Sequence, residues 1–167
     1  MKMKIYIIGI GLIGGSFAME MRKLFPNSTI IGIDKSENNI NKAYELGIID
    51  KKSCLSEISD ADIILVSVPV KSIINLLPNI LDKVNKNSLV IDFGSTKNSI
   101  CDVIKDHPNR ENFLATHPIA GTEFSGPTAA HKGLFANKNI IICDKHRTNQ
   151  SSLEIALKIF KSMKMKV

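Results

Sequence analysis

The sequence predicts an α/β fold: a doubly wound, mainly parallel sheet with helices on both faces. Ile- and Val-rich runs alternate with helical patterns along the chain. Those runs are nearly continuously apolar, as in strands buried on both faces, rather than alternating as in half-exposed ones. A glycine-rich turn, "GIGLIG", joins the first run to the first helical pattern.

Strands are expected at 4–9 ("KIYIIG"), 29–34 ("TIIGID"), 62–68 ("DIILVSV"), 88–93 ("SLVIDF"), 112–116 ("NFLAT") and 139–143 ("NIIIC"). Helices are expected near 12–25, 36–46, 70–83, 97–106 and 149–163. Pro78 should break or restart the third helix, because proline lacks an amide donor and its ring crowds the preceding turn. The terminal "KMKV" has the look of another strand beginning.

The 167 residues suffice for one domain with a real core and are too few for two. An open sheet of this kind binds a dinucleotide, but a substrate usually needs further walls. Residues 1–167 are therefore expected to be the first domain of a longer protein. The opening "MKMKIYIIGIGLIGGSFAM" imitates a signal peptide. Its apolar run is too short to span a membrane, and Glu20, Arg22 and Lys23 continue the helical pattern beyond it.

Net charge is +6, and the only arginines are Arg22, Arg110 and Arg147. Lysines scatter without aromatic interleaving, which argues against a nucleic-acid binder and leaves a mild attraction for small anions. Cys54, Cys101 and Cys143 are odd in number and lack C-x-x-C spacing. That favours reduced thiols in a cytoplasmic setting and no metal site, with Cys143 a core residue.

Gly9, Gly11 and Gly14 have G-x-G-x-x-G spacing between a strand and a helix, and Asp34 ends the second strand twenty residues further on. This is the Rossmann-type dinucleotide arrangement. Gly9 permits the tight turn, Gly11 admits a pyrophosphate, and Gly14 lets helix and strand pack closely. The helix N-terminus at Leu12 and Ile13 offers free N–H groups to phosphate. Asp34 suits a ribose hydroxyl and repels an additional phosphate, which favours NAD; neighbouring Lys35 partly offsets that charge. Ser16 is either a phosphate contact or a packing residue.

Strand order 3-2-1-4-5-6 would bring "SVPV" (67–70), "DFGSTK" (92–97) and "THPIAGTE" (116–123) to one carboxyl edge. Val68 and Pro69 would lie against the cofactor there. Neighbouring strands are about 4.8 Å apart, so Ser95 and His117 could both reach a nicotinamide and its reaction partner. His117 suits accepting, or hydrogen-bonding to, the hydroxyl proton of a carbon that loses hydride, or is a histidine satisfied at a strand end. Ser95 is expected to cap a helix beginning near Thr96 and can also face the ligand. Lys97 faces solvent or neutralises anionic ligands, and Glu123 pairs with a cation or is exposed. His107, His131 and His146 read as surface residues.

"IIGIGLIGGS", Asp34, "DFGSTK" and above all "HPIAGTEFSGP" followed by "GLF" together resemble the N-terminal domain of the prephenate dehydrogenase family. The resemblance spans the chain and implies NAD-dependent oxidative decarboxylation of prephenate to 4-hydroxyphenylpyruvate in tyrosine biosynthesis. It makes His117 the catalytic partner of the substrate's ring hydroxyl and Ser95 the residue that aligns that hydroxyl with the nicotinamide. Thr122 and Glu123 become polar residues of the substrate pocket, with the acid in an ionic network at its mouth. Gly9, Gly11, Gly14 and Asp34 match the cofactor site, and Phe93 stands where a smaller aliphatic residue is expected. The resemblance also implies a further helical domain that dimerises and supplies cations for the substrate's carboxylates. Without it, this chain should bind NAD and turn over prephenate poorly. Alternatives are arogenate as substrate, another small-acid or imine oxidoreductase, and a dinucleotide-binding module without chemistry.

Overall fold

The computed structural model describes residues 2–167. Its centre is a seven-stranded sheet in the order β3-β2-β1-β4-β5-β6-β7. The strands are β1 (Lys4–Ile8), β2 (Thr29–Ile33), β3 (Lys51–Lys52), β4 (Ile63–Val66), β5 (Leu89–Asp92), β6 (Phe113–Pro118) and β7 (Ile140–Cys143). The helices are α1 (Leu12–Leu24), α2 (Glu37–Glu45), α3 (Val70–Lys83), α4 (Asn98–Val103) and α5 (Gln150–Ser162). Strands β1 to β6 pair in parallel, and β7 runs antiparallel to β6.

Alternate residues of each central strand feed opposite faces. Ile5, Ile7, Leu65, Ile91 and Leu114 join Phe17, Met21, Phe135 and Phe160 on one side. Tyr6, Ile8, Val66, Val90 and Phe113 join Ile73, Leu77, Ile80 and Ile100 on the other. Burial on both faces explains why these strands read as unbroken apolar runs.

Three expectations need correction or addition. β3 consists of two exposed lysines that pair with Ile31 and Gly32, so no apolar run announces it. Pro78 does not end α3, which continues to Lys83. An interior proline costs about 3 kcal/mol, but Leu77, Ile80 and Leu81 are fully buried around it, and their burial holds the helix together. α4 begins at Asn98 and stops at Val103, shorter than the expected 97–106.

The terminal segment does begin a strand-like pairing. Lys166 bridges Asn139 in parallel, and its carbonyl accepts from Ile140 N at 2.8 Å. Cys143 is half-buried and packs against the core rather than within it. No helix among the described residues is long and apolar enough to cross a membrane.

Candidate active site

The carboxyl ends of β2, β1, β4, β5 and β6 lie along one edge of the sheet. At the end of β1 the chain turns through Gly9, whose φ of 91° suits glycine. A Cβ at Gly9 would also stand 2.6 Å from the Ser67 carbonyl oxygen. At Gly14 a Cβ would collide with the Gly9 carbonyl oxygen and sit 2.5 Å from Ser67 Oγ. The fold thus needs both glycines. Ser67, at the end of β4, secures the turn by donating from Oγ to Gly9 O at 2.8 Å.

Gly11 is different. Nothing lies within 4 Å of where its Cβ would be, and its backbone is extended. It caps α1, a helix with no acidic side chain in its first turn. The amides at this end lack intrahelical acceptors and carry partial positive charge, so the open space faces an anion-binding helix terminus. Leu12 is buried in the core, which leaves its backbone rather than its side chain available to a ligand.

Asp34 follows β2 and joins two elements. Its Oδ2 accepts from Ile10 N and its Oδ1 from Ser36 N, each at 2.8 Å. Each carboxylate oxygen retains a lone pair for a hydroxyl donor. The residues present fit an adenine dinucleotide: a turn open at Gly11, a helix N-terminus and a fixed carboxylate. Val68 packs against the turn, since its Cγ1 would lie 2.7 Å from a Cβ on Gly9; Pro69 caps α3 and is exposed.

His117 is the penultimate residue of β6 and stands opposite Ile141 of β7. It is half-buried, and its Nδ1 is enclosed without a hydrogen-bond partner among the described residues. Burial, and then the nearby Lys97 ammonium, holds its pKa below the ordinary 6.5. At neutral pH the imidazole is therefore uncharged and able to accept a proton.

The turn after β5 corrects two expectations. Ser95 is exposed but does not cap α4; Lys97 occupies the cap position and makes no side-chain capping bond. Lys97 does not face solvent. Its ammonium pairs with the fully buried Asp92 carboxylate and donates to Thr116 O at 2.8 Å. Burial pushes Asp92 above the ordinary carboxylate range, and Lys97 pulls it back. This ion pair has a signal in "LVIDFGSTK": a carboxylate ends a strand buried on both faces, and one lysine follows five residues later.

Ser16 is settled as a structural residue. It is fully buried and its Oγ accepts from His131 N at 3.0 Å. Glu20 Oε1 accepts from Gly133 N at 2.7 Å, so α1 straps down the loop that follows the histidine segment. Phe93 lies in the core, 5.4 Å from Phe17 edge-on and 5.9 Å from Phe135, centre to centre. Thr122 and Glu123 are exposed, with Thr122 Oγ1 accepting from Phe124 N at 3.2 Å. Glu123, Phe124, Ser125, Thr128 and Ala129 line an open depression of about 610 Å³. His107 is half-buried at the surface, its side chain 11% exposed and in contact with exposed Asp82 at 3.2 Å. His131 and His146 are exposed. No group of three His, Cys, Asp or Glu among the described residues is placed to hold a metal ion.

Fold and glycine turn define the class, a nucleotide-binding domain of the Rossmann type. The particular family follows from comparison, since residues 17–167 match "Prephenate dehydrogenase, nucleotide-binding domain", and the chain belongs to that family. It is 34% identical over 158 residues to prephenate dehydrogenase of Bacillus subtilis, covering 92% of this chain and 43% of that protein. The structure of prephenate dehydrogenase from Aquifex aeolicus, with hydroxyphenyl propionate and NAD+, superposes with a TM-score of 0.90 at 27% identity. That match covers 100% of this chain and 59% of the other. Synechocystis arogenate dehydrogenase is also similar, at TM-score 0.87 and 27% identity, over 98% of this chain and 58% of that one. The chain spans about half the length of the curated relatives it matches.

Proposed function

We propose that this chain is the cofactor-binding part of an NAD-dependent oxidoreductase that oxidatively decarboxylates prephenate to 4-hydroxyphenylpyruvate. The observation that carries the proposal is the shared edge: half-buried His117 near the end of β6 and exposed Ser95 in the turn after β5 lie on the edge that carries the glycine turn, with its opening at Gly11. The Gly11 opening and the amides of Leu12 and Ile13 hold pyrophosphate, Asp34 holds the adenosine ribose, and Val68 and Pro69 flank the bound cofactor. When bound, nicotinamide supplies a hydride acceptor.

His117 accepts the proton of the ring hydroxyl as the carbon bearing it is oxidised, and Ser95 orients that hydroxyl. Positioning is the protein's main task, because loss of carbon dioxide and aromatisation drive the reaction forward. Thr122 and Glu123 lie where the substrate pocket opens, with Glu123 available to an ionic network. A second, helical domain supplies the remaining pocket wall, cations for the substrate's carboxylates and a dimer contact. On this reading the 167-residue chain alone binds NAD and turns over prephenate poorly; robust turnover by it would overturn the need for a second domain.

Arogenate is the second reading, favoured by the likeness to the Synechocystis enzyme. The test joins this domain to the second half found in its relatives and follows NADH absorbance with prephenate, arogenate and a 3-hydroxy acid. Prephenate is expected to give the highest kcat/KM. A preference for arogenate reassigns the substrate, and turnover of the 3-hydroxy acid alone rejects the proposal.

A further inference from the structure

One fully buried carboxylate gathers three segments of the reacting edge. Asp92 Oδ2 accepts from Gly94 N at 3.0 Å and from the Lys97 ammonium, while Oδ1 accepts from Thr116 N at 3.2 Å. Its backbone carbonyl accepts from Thr116 Oγ1 at 2.7 Å. Lys97 adds its bond to Thr116 O at 2.8 Å. The end of β5, the turn bearing Ser95 and the residue preceding His117 are thereby tied together.

We infer that Asp92 is a positioning residue for the reaction centre, acting through Lys97 to hold a cation beside His117 and to join the Ser95 turn to the His117 strand. The inference rests on the reading of His117 as the reacting histidine. A lysine at the N-cap of a short helix ordinarily extends its ammonium into water. Lys97 does not: its side chain is only 10% exposed, and its carboxylate partner is completely buried. A lone buried charge is strongly unfavourable, so each group fixes the other. The turn is also tightly fitted, since a Cβ on Gly94 would lie 2.9 Å from Ile73 and Ile100 and 3.1 Å from Asp92 Oδ2.

Its bond to Thr116 O places the Lys97 ammonium at the residue preceding His117, with Asp92 behind it, whereas Ile141 stands opposite His117 on β7. The cation disfavours imidazolium and keeps the acceptor form available. Without Asp92 the nearly buried Lys97 ammonium must move to water or give up its proton, and either removes the cation near His117; loss of the Asp92 anion acts in the opposite sense, so the effect is smaller than that of removing Lys97 itself.

The test is an NMR titration of the His117 imidazole in the 167-residue chain, as wild type, Asp92→Asn, Lys97→Met and the double variant. Both single variants should shift the His117 midpoint upward, and the double variant should shift it no further than Lys97→Met. An unchanged midpoint in Asp92→Asn, or additive shifts in the double variant, would overturn the inference. A measurement on wild type guards against a variant that fails to fold. The Lys97 ammonium protons should exchange with water far more slowly than those of the exposed lysines; equally fast exchange would also overturn it. None of these readings involves turnover, so they stand or fall separately from an activity assay of His117→Asn.

Discussion

Gly11→Ala adds one methyl group at the head of α1, where nothing lies within 4 Å of the Cβ position and the backbone is already extended. The folded chain accepts that methyl without moving, while the unfolded chain loses some of glycine's freedom. The substitution should therefore stabilise the cofactor-free protein by about 0.4–1 kcal/mol. For a domain of this size that raises Tm by roughly 1–4 °C. The same methyl intrudes where a pyrophosphate approaches the helix N-terminus. Displacing charge-assisted hydrogen bonds there should cost about 1.5–3 kcal/mol, which weakens NAD binding by roughly 10- to 150-fold. Calorimetric titration of NAD and a thermal melt without NAD read the two effects on one sample. Unchanged NAD affinity would refute the placement of the pyrophosphate, and a lowered Tm would refute the claim that the space is empty.

Gly14→Ala should do the reverse, since its Cβ collides with the Gly9 carbonyl oxygen; the measurement is loss of Tm in the cofactor-free chain. His117→Asn, in a protein carrying the second domain, should lower kcat by about a hundredfold or more with NAD affinity nearly unchanged, as measured by NADH production and titration. Asp34→Ser should narrow the preference for NAD over NADP, checked by the ratio of their dissociation constants. His117 has a lowered folded-state pKa, so its unfolded form binds the proton more readily and folding stability falls on acidification below about 6.5. That contribution is present above the ordinary imidazole pKa, and denaturant melts of wild type and His117→Asn across this window isolate it. The acid limb of kcat/KM should correspondingly lie below 6.5.

The central strands were legible in the sequence because burial on both faces leaves an apolar run that composition alone displays. β3 was invisible for the opposite reason: backbone pairing to β2 makes it a strand, while Lys51 and Lys52 remain exposed. The direction of β7 is likewise a matter of connection, which residue type does not record. In the site, glycine spacing and the Asp34 offset were readable because each serves a local backbone geometry. Ser16 and Lys97 were not, since their roles depend on partners elsewhere in the chain: His131 for the first, Asp92 and Thr116 for the second. Pro78 shows a local rule overruled by tertiary burial, with Leu77 and Ile80 holding a helix that its proline disfavours.

The central claim is that the dinucleotide turn and His117 serve one bound cofactor. Titrating the 15N-labelled 167-residue chain with NAD, and following its amide and imidazole signals, tests this most directly. The account predicts saturable shifts at Gly9 to Gly14 and at Asp34, together with shifts at Ser95 and His117 at the same NAD concentration. Shifts confined to the glycine turn, with Ser95 and His117 unmoved at saturation, would contradict it.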